Sequence, residues 1–182
     1  MSRYSNITNE IWRDKEVRQL DPEQKLLYLY LLTSPQCNSA GLYRLSPDDV
    51  THDLAEGYAQ HLTEEIKLWR YDVESETVFL PNYLKYNTAK TALQYKGLNS
   101  SVRTLSWNPL IVHWLYAVNR YCGQKAFEYI EPSILRYAAM KSKEMDKCIE
   151  SITVSLLLEN YSTLQYSTVH YSTVPYPIRD RA

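Results

Sequence analysis

The fold of this chain depends on one stretch, LTEEIKLWRYDVESETVFLPNY at residues 62–83. Its first part has apolar residues at the i, i+4, i+7 spacing that places side chains on one helical face, at Leu62, Ile66 and Trp69. This pattern predicts an amphipathic helix from Gln60 to Arg70. After Trp69, apolar and charged residues alternate, and the β-rich segment Thr77 to Leu80 follows a polar turn. The stretch therefore predicts a helix that leads into a β-hairpin.

Two helix starts precede this stretch, and each has an N-capping residue followed by proline. Asp21-Pro22-Glu23 predicts a helix running to Thr33, which is apolar nearly all round and should be the central buried helix. Ser46-Pro47-Asp48-Asp49 predicts a second helix that ends near Gly57. Between them, Leu42 to Leu45 predicts one short strand. The order helix, strand, helix, turn, helix, strand, strand is typical of a winged helix-turn-helix.

The second half of the chain predicts more helices and a tail. Asn108-Pro109 begins a capped helix with Gly123 just past its end, and Glu131-Pro132-Ser133 begins another that extends to about Leu158. The later half of that segment, Ile149 to Leu158, also fits a strand. From residue 160 a Tyr-Ser-Thr repeat has a period of five, which matches neither a helix nor a strand. It predicts a flexible end, or else an extended peptide that adds to the sheet edge of a partner.

The expected architecture is mainly α with a small β-hairpin. Its predicted parts are an N-terminal arm or helix at 1–20, a winged helix-turn-helix domain at 21–86, a basic connector at 87–106, a helical region at 107–159 and the Tyr-Ser-Thr repeat tail at 160–182. No apolar run approaches the roughly 20 residues needed to cross a bilayer, and the N-terminus lacks a signal-peptide core. We therefore expect a cytoplasmic protein. The sequence leaves its oligomeric state open, a homo-oligomer included.

Charge is distributed unevenly along the chain. Residues 1–76 contain 8 Lys and Arg against 14 Asp and Glu, whereas residues 77–127 contain 6 Lys and Arg and no acid. The middle third is therefore the expected place for phosphate contacts. Within it, lysines alternate with asparagines and with tyrosines, and these tyrosines could stack on unpaired bases or could equally be core. The candidate DNA-binding side chains there are Lys85, Lys90, Lys96 and Arg103.

The predicted helix before the hairpin is the second candidate for DNA contact. In a winged helix-turn-helix this helix usually lies in the major groove, with the hairpin against the backbone or minor groove. Its polar side chains that could bind bases or phosphates are Gln60, His61, Thr63, Lys67 and Arg70. The hairpin tip, however, contains Asp72, Glu74 and Glu76, which would repel phosphates. This acidity leaves open a second hypothesis, a protein-binding adaptor or regulator with the same fold that does not bind DNA.

The sequence does not indicate catalysis, a metal or a cofactor. Its four histidines have no metal-binding spacing, and its 4 glycines form no phosphate-binding loop. The three cysteines lack the C-x-x-C spacing of a zinc or redox site, so we expect free thiols. A tyrosine nucleophile would need clustered Arg and His to hold a phosphate, and Arg179 and Arg181 near Tyr176 are too few. We therefore expect a non-enzymatic protein.

Several groups of residues, in this order, resemble the N-terminal winged-helix domain of phage replication-initiation proteins, the replisome organisers related to DnaD-like primosome proteins. The similar segments are Trp12-Arg13-Asp14, Leu20, EQKLLYLYLLTSP at 23–35, Gly41-Leu42-Tyr43 and Pro81-Asn82-Tyr83-Leu84-Lys85-Tyr86. They lie within roughly the first half of the chain. The resemblance implies a winged-helix fold, binding to origin DNA, and recruitment of a replicative helicase or its loader. We expect the DNA to be a duplex, or else single-stranded. It does not extend to the region from Trp107 to Leu158.

Overall fold

The computed structural model describes residue 7 and residues 9–144, with side chains up to residue 138. Two predicted features lie outside the described residues: the Tyr-Ser-Thr repeat tail at 160–182, and Ile149 to Leu158, which fits either a helix or a strand. The described part is mainly helical with a small antiparallel sheet, as the sequence predicts. None of its helices is long and apolar enough to span a membrane.

Both predicted helix starts are confirmed. After a 3-10 helix at Asn9–Arg13, the chain forms α1 (Lys15–Gln19), α2 (Pro22–Thr33), β1 (Leu42–Arg44) and α3 (Pro47–Asp53). Asp21 and Ser46 each accept a hydrogen bond from the third residue of their helix, and that residue's side chain accepts one from the cap's backbone N–H. Helix α3 ends at Asp53 rather than near Gly57.

Helix α2 is buried on one face only. Leu27 and Leu31 are fully buried, whereas Leu26 is 43% exposed although its side chain is equally apolar. The expectation of a central buried helix therefore holds for one face of α2. A helix with apolar residues on every face can be buried by other elements on all sides. In this chain the neighbouring elements cover only one face of α2.

The predicted hairpin is confirmed as β2 (Arg70–Asp72) and β3 (Thr77–Phe79), which pair antiparallel. Strand β3 also pairs antiparallel with β1, so the sheet order is β1-β3-β2, with Val78 opposite both Tyr43 and Tyr71. As the central strand, β3 is buried at all three residues. The sheet thus links the segment around Gly41 to the hairpin.

The predicted helix from Gln60 to Arg70 is wrong. The structure has a 3-10 helix at Tyr58–Thr63, and the backbone becomes extended at Glu64 and enters β2 at Arg70. The apolar spacing still marks buried positions, because Leu62 and Trp69 are fully buried and Ile66 packs against the core. Trp69 Nε1 donates to the Leu62 carbonyl at 3.3 Å, so a folded-back loop, not a helical turn, brings these residues together.

The second half of the described chain adds α4 (Tyr83–Tyr86), α5 (Ala92–Arg103), α6 (Leu110–Cys122), a 3-10 helix at Gln124–Tyr129, and α7 (Pro132–Glu144). Helix α6 begins after Asn108-Pro109 and ends at Cys122, with Gly123 just past its end, as predicted. The predicted inward residues Ile111, Trp114, Leu115 and Val118 are all buried.

Helix α6 packs against all three strands, and one cluster of buried residues extends from Val17 to Ala138. Trp114 Nε1 donates to the Ala40 carbonyl at 3.2 Å, which joins α6 to the loop before β1. The sequence predicts domain boundaries near residues 86 and 107, and this division of the chain stays a prediction. In the described structure the two halves share one core.

Candidate nucleic-acid interface

The polar residues of the predicted DNA-reading helix do not share one face. Gln60 and Thr63 are exposed, but the Thr63 hydroxyl donates to the Gln60 carbonyl at 3.0 Å. Lys67 is exposed in the turn before β2, where its Nζ lies 3.9 Å from Glu16 Oε1. Arg70 is exposed and lies in β2. The 3-10 helix therefore presents few donors toward a DNA groove.

His61 is buried, with 8% of its surface exposed, and it connects two elements. Its Nδ1 lies 2.7 Å from Glu64 Oε1 and its Nε2 lies 3.0 Å from Glu23 Oε2 at the start of α2. Burial lowers the pKa of this imidazole, but hydrogen bonds to the two carboxylates outweigh burial and leave the pKa raised. His61 therefore holds the Tyr58–Thr63 helix to α2 and is not free to contact bases.

This bridge makes stability depend on pH. Because the pKa of His61 is raised on folding, its contribution is complete below the unfolded value of 6.5 and is lost as pH rises through the folded pKa. We expect His61→Asn to lower the melting temperature more at about pH 5.5 than at about pH 9. Thermal denaturation of both proteins across this range measures the difference. His52→Asn is the matched control, since His52 is exposed, and equal losses at both pH values would contradict the bridge.

The hairpin tip is acidic in the structure as in the sequence. Asp72 accepts hydrogen bonds from Ser75, and Glu76 pairs with Arg44 at 2.6 Å. Glu74 and Val73 are exposed between them. Because carboxylates dominate this tip, it would repel a phosphate backbone.

The basic segment from Lys85 to Arg103 has one cation that is already paired. Lys85, Lys90 and Lys96 are exposed, whereas Arg103 Nη1 lies 3.2 Å from Glu131 Oε1. The sequence does not decide whether the tyrosines in and beside this segment are core residues or exposed, and the structure differs from one tyrosine to the next. Tyr83 and Tyr95 are buried and belong to the core, whereas Tyr86 is 44% exposed with Lys85 Nζ 5.0 Å from its ring centre.

A groove between the hairpin and α6 brings together cations from distant parts of the chain. We call it the α6 groove; its volume is about 460 Å³. Its three cationic side chains come from the segment before β2, from β2 and from α6, and no acid is among its described lining residues. The lining consists of Lys67, Arg70, Phe79, Pro81, Asn82, His113, Tyr116, Ala117, Arg120 and Tyr121.

Arg70 is held in position on the wall of the α6 groove. Its Nη1 donates to His113 Nε2 at 3.0 Å. Burial and the neighbouring Arg70 charge lower the pKa of His113 to about 4. The imidazole is therefore neutral at pH 7 and keeps a lone pair for the guanidinium. On the same helix, the Arg120 guanidinium lies 5.5 Å from the ring centre of Tyr121.

Sequence reasoning found Lys67 and Arg70 as candidates but missed four of the five α6 residues that line the groove, the ones with polar or aromatic side chains. The missed residues are His113, Tyr116, Arg120 and Tyr121. A signal was present for three of them, because His113, Tyr116 and Arg120 recur at the three- and four-residue steps that place side chains on one side of a helix. What the sequence lacked was the partner element, since Arg70 and His113 are 43 residues apart.

The described part of the chain contains no group of His, Cys, Asp or Glu suited to a metal ion. A second cavity of about 790 Å³ lies between the loop before β1 and α5, and Ser39, Ser100, Ser101 and Thr104 line it. Arg44 also lines this cavity but is paired with Glu76. The α6 groove therefore combines cations and aromatic rings better than this hydroxyl-lined cavity.

No protein-family model matches the chain, and searches of curated proteins and of solved structures give no significant match. The resemblance to phage replication-initiation proteins thus rests on the quoted residues alone. Two of its segments meet in the structure, because Gly41 lies directly against Tyr83.

Proposed function

We propose that this protein is a non-enzymatic, DNA-binding replication-initiation protein of the phage replisome-organiser type, built on a winged helix-turn-helix. The element order and the sheet order β1-β3-β2 support this fold, with the 3-10 helix at Tyr58–Thr63 in place of the usual third helix. The observation that carries the DNA-binding proposal is the α6 groove. Its three cations, from separate segments, have no acid among the described groove residues.

The separation of charges favours one side of the molecule for DNA. Helix α4 packs against α6, and Lys85 is exposed on α4. Lys85 therefore extends the cationic surface of the α6 groove along α4. Carboxylates occupy the hairpin tip and the surface around His61. In this proposal DNA contacts the α4–α6 side, and Gln60 and Thr63 contribute little.

The role in replication rests on the resemblance. It implies an origin DNA site in the cytoplasm of a host cell and a replicative helicase or its loader as partner. The contact between Gly41 and Tyr83 supports it, because each residue belongs to a different quoted segment. Pull-down of the full chain with a purified replicative helicase and its loader tests this part separately.

A charge-reversal variant tests whether the basic segment at Lys85 and Lys90 belongs to the DNA interface. We expect Lys85→Glu/Lys90→Glu to weaken DNA binding at least about tenfold, because two cations facing phosphates become repulsive. Fluorescence anisotropy with labelled duplex and single strands at two salt concentrations measures the affinity. Lys25→Glu/Lys125→Glu makes the same change in net charge elsewhere and should bind like wild type. Unchanged affinity of the first variant would remove this segment from the interface.

The second candidate function is a protein-binding adaptor or regulator that acts on a host or phage replication or repressor protein. The acidic hairpin tip favours it, because the exposed Val73 lies beside Glu74 there and could contact a basic, partly apolar protein surface. A partner that co-purifies in fixed ratio, together with no DNA affinity at low salt, would support it. Steeply salt-dependent DNA binding would favour the first proposal.

A further inference from the structure

We propose that the α6 groove binds an unpaired DNA strand, with Arg70 and Arg120 on its phosphates and Tyr116 stacked on a base. This inference rests on the proposed DNA-binding function and specifies its site and the form of its ligand. Single-strand sites usually combine cations along the backbone path with aromatic side chains under the bases. The α6 groove has both kinds of group within one cavity.

The phosphate-binding part of the site is preorganised. His113 accepts from one nitrogen of Arg70, so the guanidinium is oriented before DNA arrives and its remaining donors are available. A charged histidine could not accept this hydrogen bond, and His113 is kept neutral by its low pKa. We therefore assign His113 as a positioning residue for Arg70.

The base-binding part is Tyr116, whose side chain is 40% exposed. It lies one helical turn before Arg120 on α6, so a stacked base and its phosphate could meet neighbouring side chains. Tyr121 also lines the groove, where it contacts the Arg120 guanidinium. Helix α6 thus places the rings of Tyr116 and Tyr121 close to one cation, Arg120, in the same groove.

The surroundings of the groove disfavour a duplex. Glu64 and Glu65 line an adjoining cavity that shares Lys67 and Arg70 with the α6 groove. On another side, Glu16 lies near Lys67. Carboxylates therefore lie near the Lys67 end of the α6 groove on two sides. A duplex carries two phosphate backbones and would bring one toward these acids, whereas a single strand can lie within the groove.

The test compares groove variants on labelled DNA by fluorescence anisotropy. The ligands are an oligothymidine about 12 nucleotides long and a duplex of matched length. The variants are Arg70→Gln/Arg120→Gln, His113→Ala, Tyr116→Ala and Tyr116→Phe. Lys25→Gln/Lys125→Gln is the matched control for charge, and Tyr116→Phe is the control for the ring. Circular dichroism confirms that each variant is folded.

We expect wild type to bind the single strand more tightly than the duplex. Tyr116→Ala should weaken single-strand binding about tenfold, whereas Tyr116→Phe keeps the stacking ring and should bind like wild type. The arginine variant should lower the slope of log affinity against log salt by about 0.7 for each cation removed. His113→Ala should weaken binding without changing this slope, since it removes no charge.

Two results would overturn the inference alone: tighter binding of the duplex, or wild-type affinity in Tyr116→Ala and in the arginine variant. In both, DNA binding itself would stand, and the Lys85→Glu/Lys90→Glu variant would report on the rest of the interface. If folded wild type binds neither DNA at low salt, the proposed function fails together with this inference.

Discussion

Replacing Trp114 by alanine is expected to lower the free energy of unfolding by about 3–5 kcal/mol. Trp114 is fully buried in α6, so the substitution leaves a large cavity in the shared core. It also leaves the Ala40 carbonyl without the indole N–H that donates to it at 3.2 Å. Urea denaturation followed by circular dichroism measures this loss.

The control for Trp114 is the same change at a half-exposed site. Trp107 is 53% exposed, and its ring lies 4.8 Å from that of Tyr137. We expect Trp107→Ala to lower the free energy of unfolding by only about 1 kcal/mol. Because Trp114 joins α6 to the loop before β1, wild type should unfold in a single transition. A loss near 1 kcal/mol in Trp114→Ala as well would contradict the shared core.

Replacing Gly41 by alanine is expected to lower the free energy of unfolding by about 2–4 kcal/mol. Gly41 has φ +63°, a conformation that favours glycine, and an added Cβ would lie 2.5 Å from Tyr83 Cβ. The inner atoms of the Tyr83 side chain cannot rotate away, so α4 must move from β1. The change should also disturb the start of the basic segment at Lys85.

Alanine substitutions at two other glycines distinguish backbone strain from the close contact with Tyr83 as the cause of the lost stability. Gly57 has φ +96° with no atom within 4 Å of an added Cβ, so Gly57→Ala tests backbone strain alone and should cost about 1 kcal/mol. Gly97 lies inside α5, and Gly97→Ala should raise stability by up to about 1 kcal/mol. Melting temperatures of the three variants test this order. If Gly41→Ala is no worse than Gly57→Ala, the contact with Tyr83 is not tight.

Local signals in the sequence predicted local structure well. The caps at Asp21 and Ser46 are recognisable because a capping side chain bonds to a backbone group three residues away. The hairpin is recognisable because alternation and turn residues occur within one short stretch. Both depend on interactions between neighbours in the chain, and both are confirmed.

The segment from Gln60 to Arg70 shows where such signals are ambiguous. The spacing of Leu62, Ile66 and Trp69 identified inward-facing residues, but burial at that spacing does not require a helix. The core accommodates the Trp69 ring beside Tyr28, with ring centres 6.2 Å apart, and His61 ties the preceding turn to α2. These tertiary contacts override the helical pattern. The spacing of apolar residues along the sequence gives no information about such contacts.

The sequence by itself determined the helix caps, the hairpin, the buried face of α6 and the acidic and basic segments, because each follows from nearby residues. Only the tertiary structure decided that His61 is buried and that Arg103 is paired with Glu131. It alone also brought Arg70 and Arg120 into one groove. The physical reason is that a binding surface consists of side chains from separate elements, whose distances depend on how those elements pack.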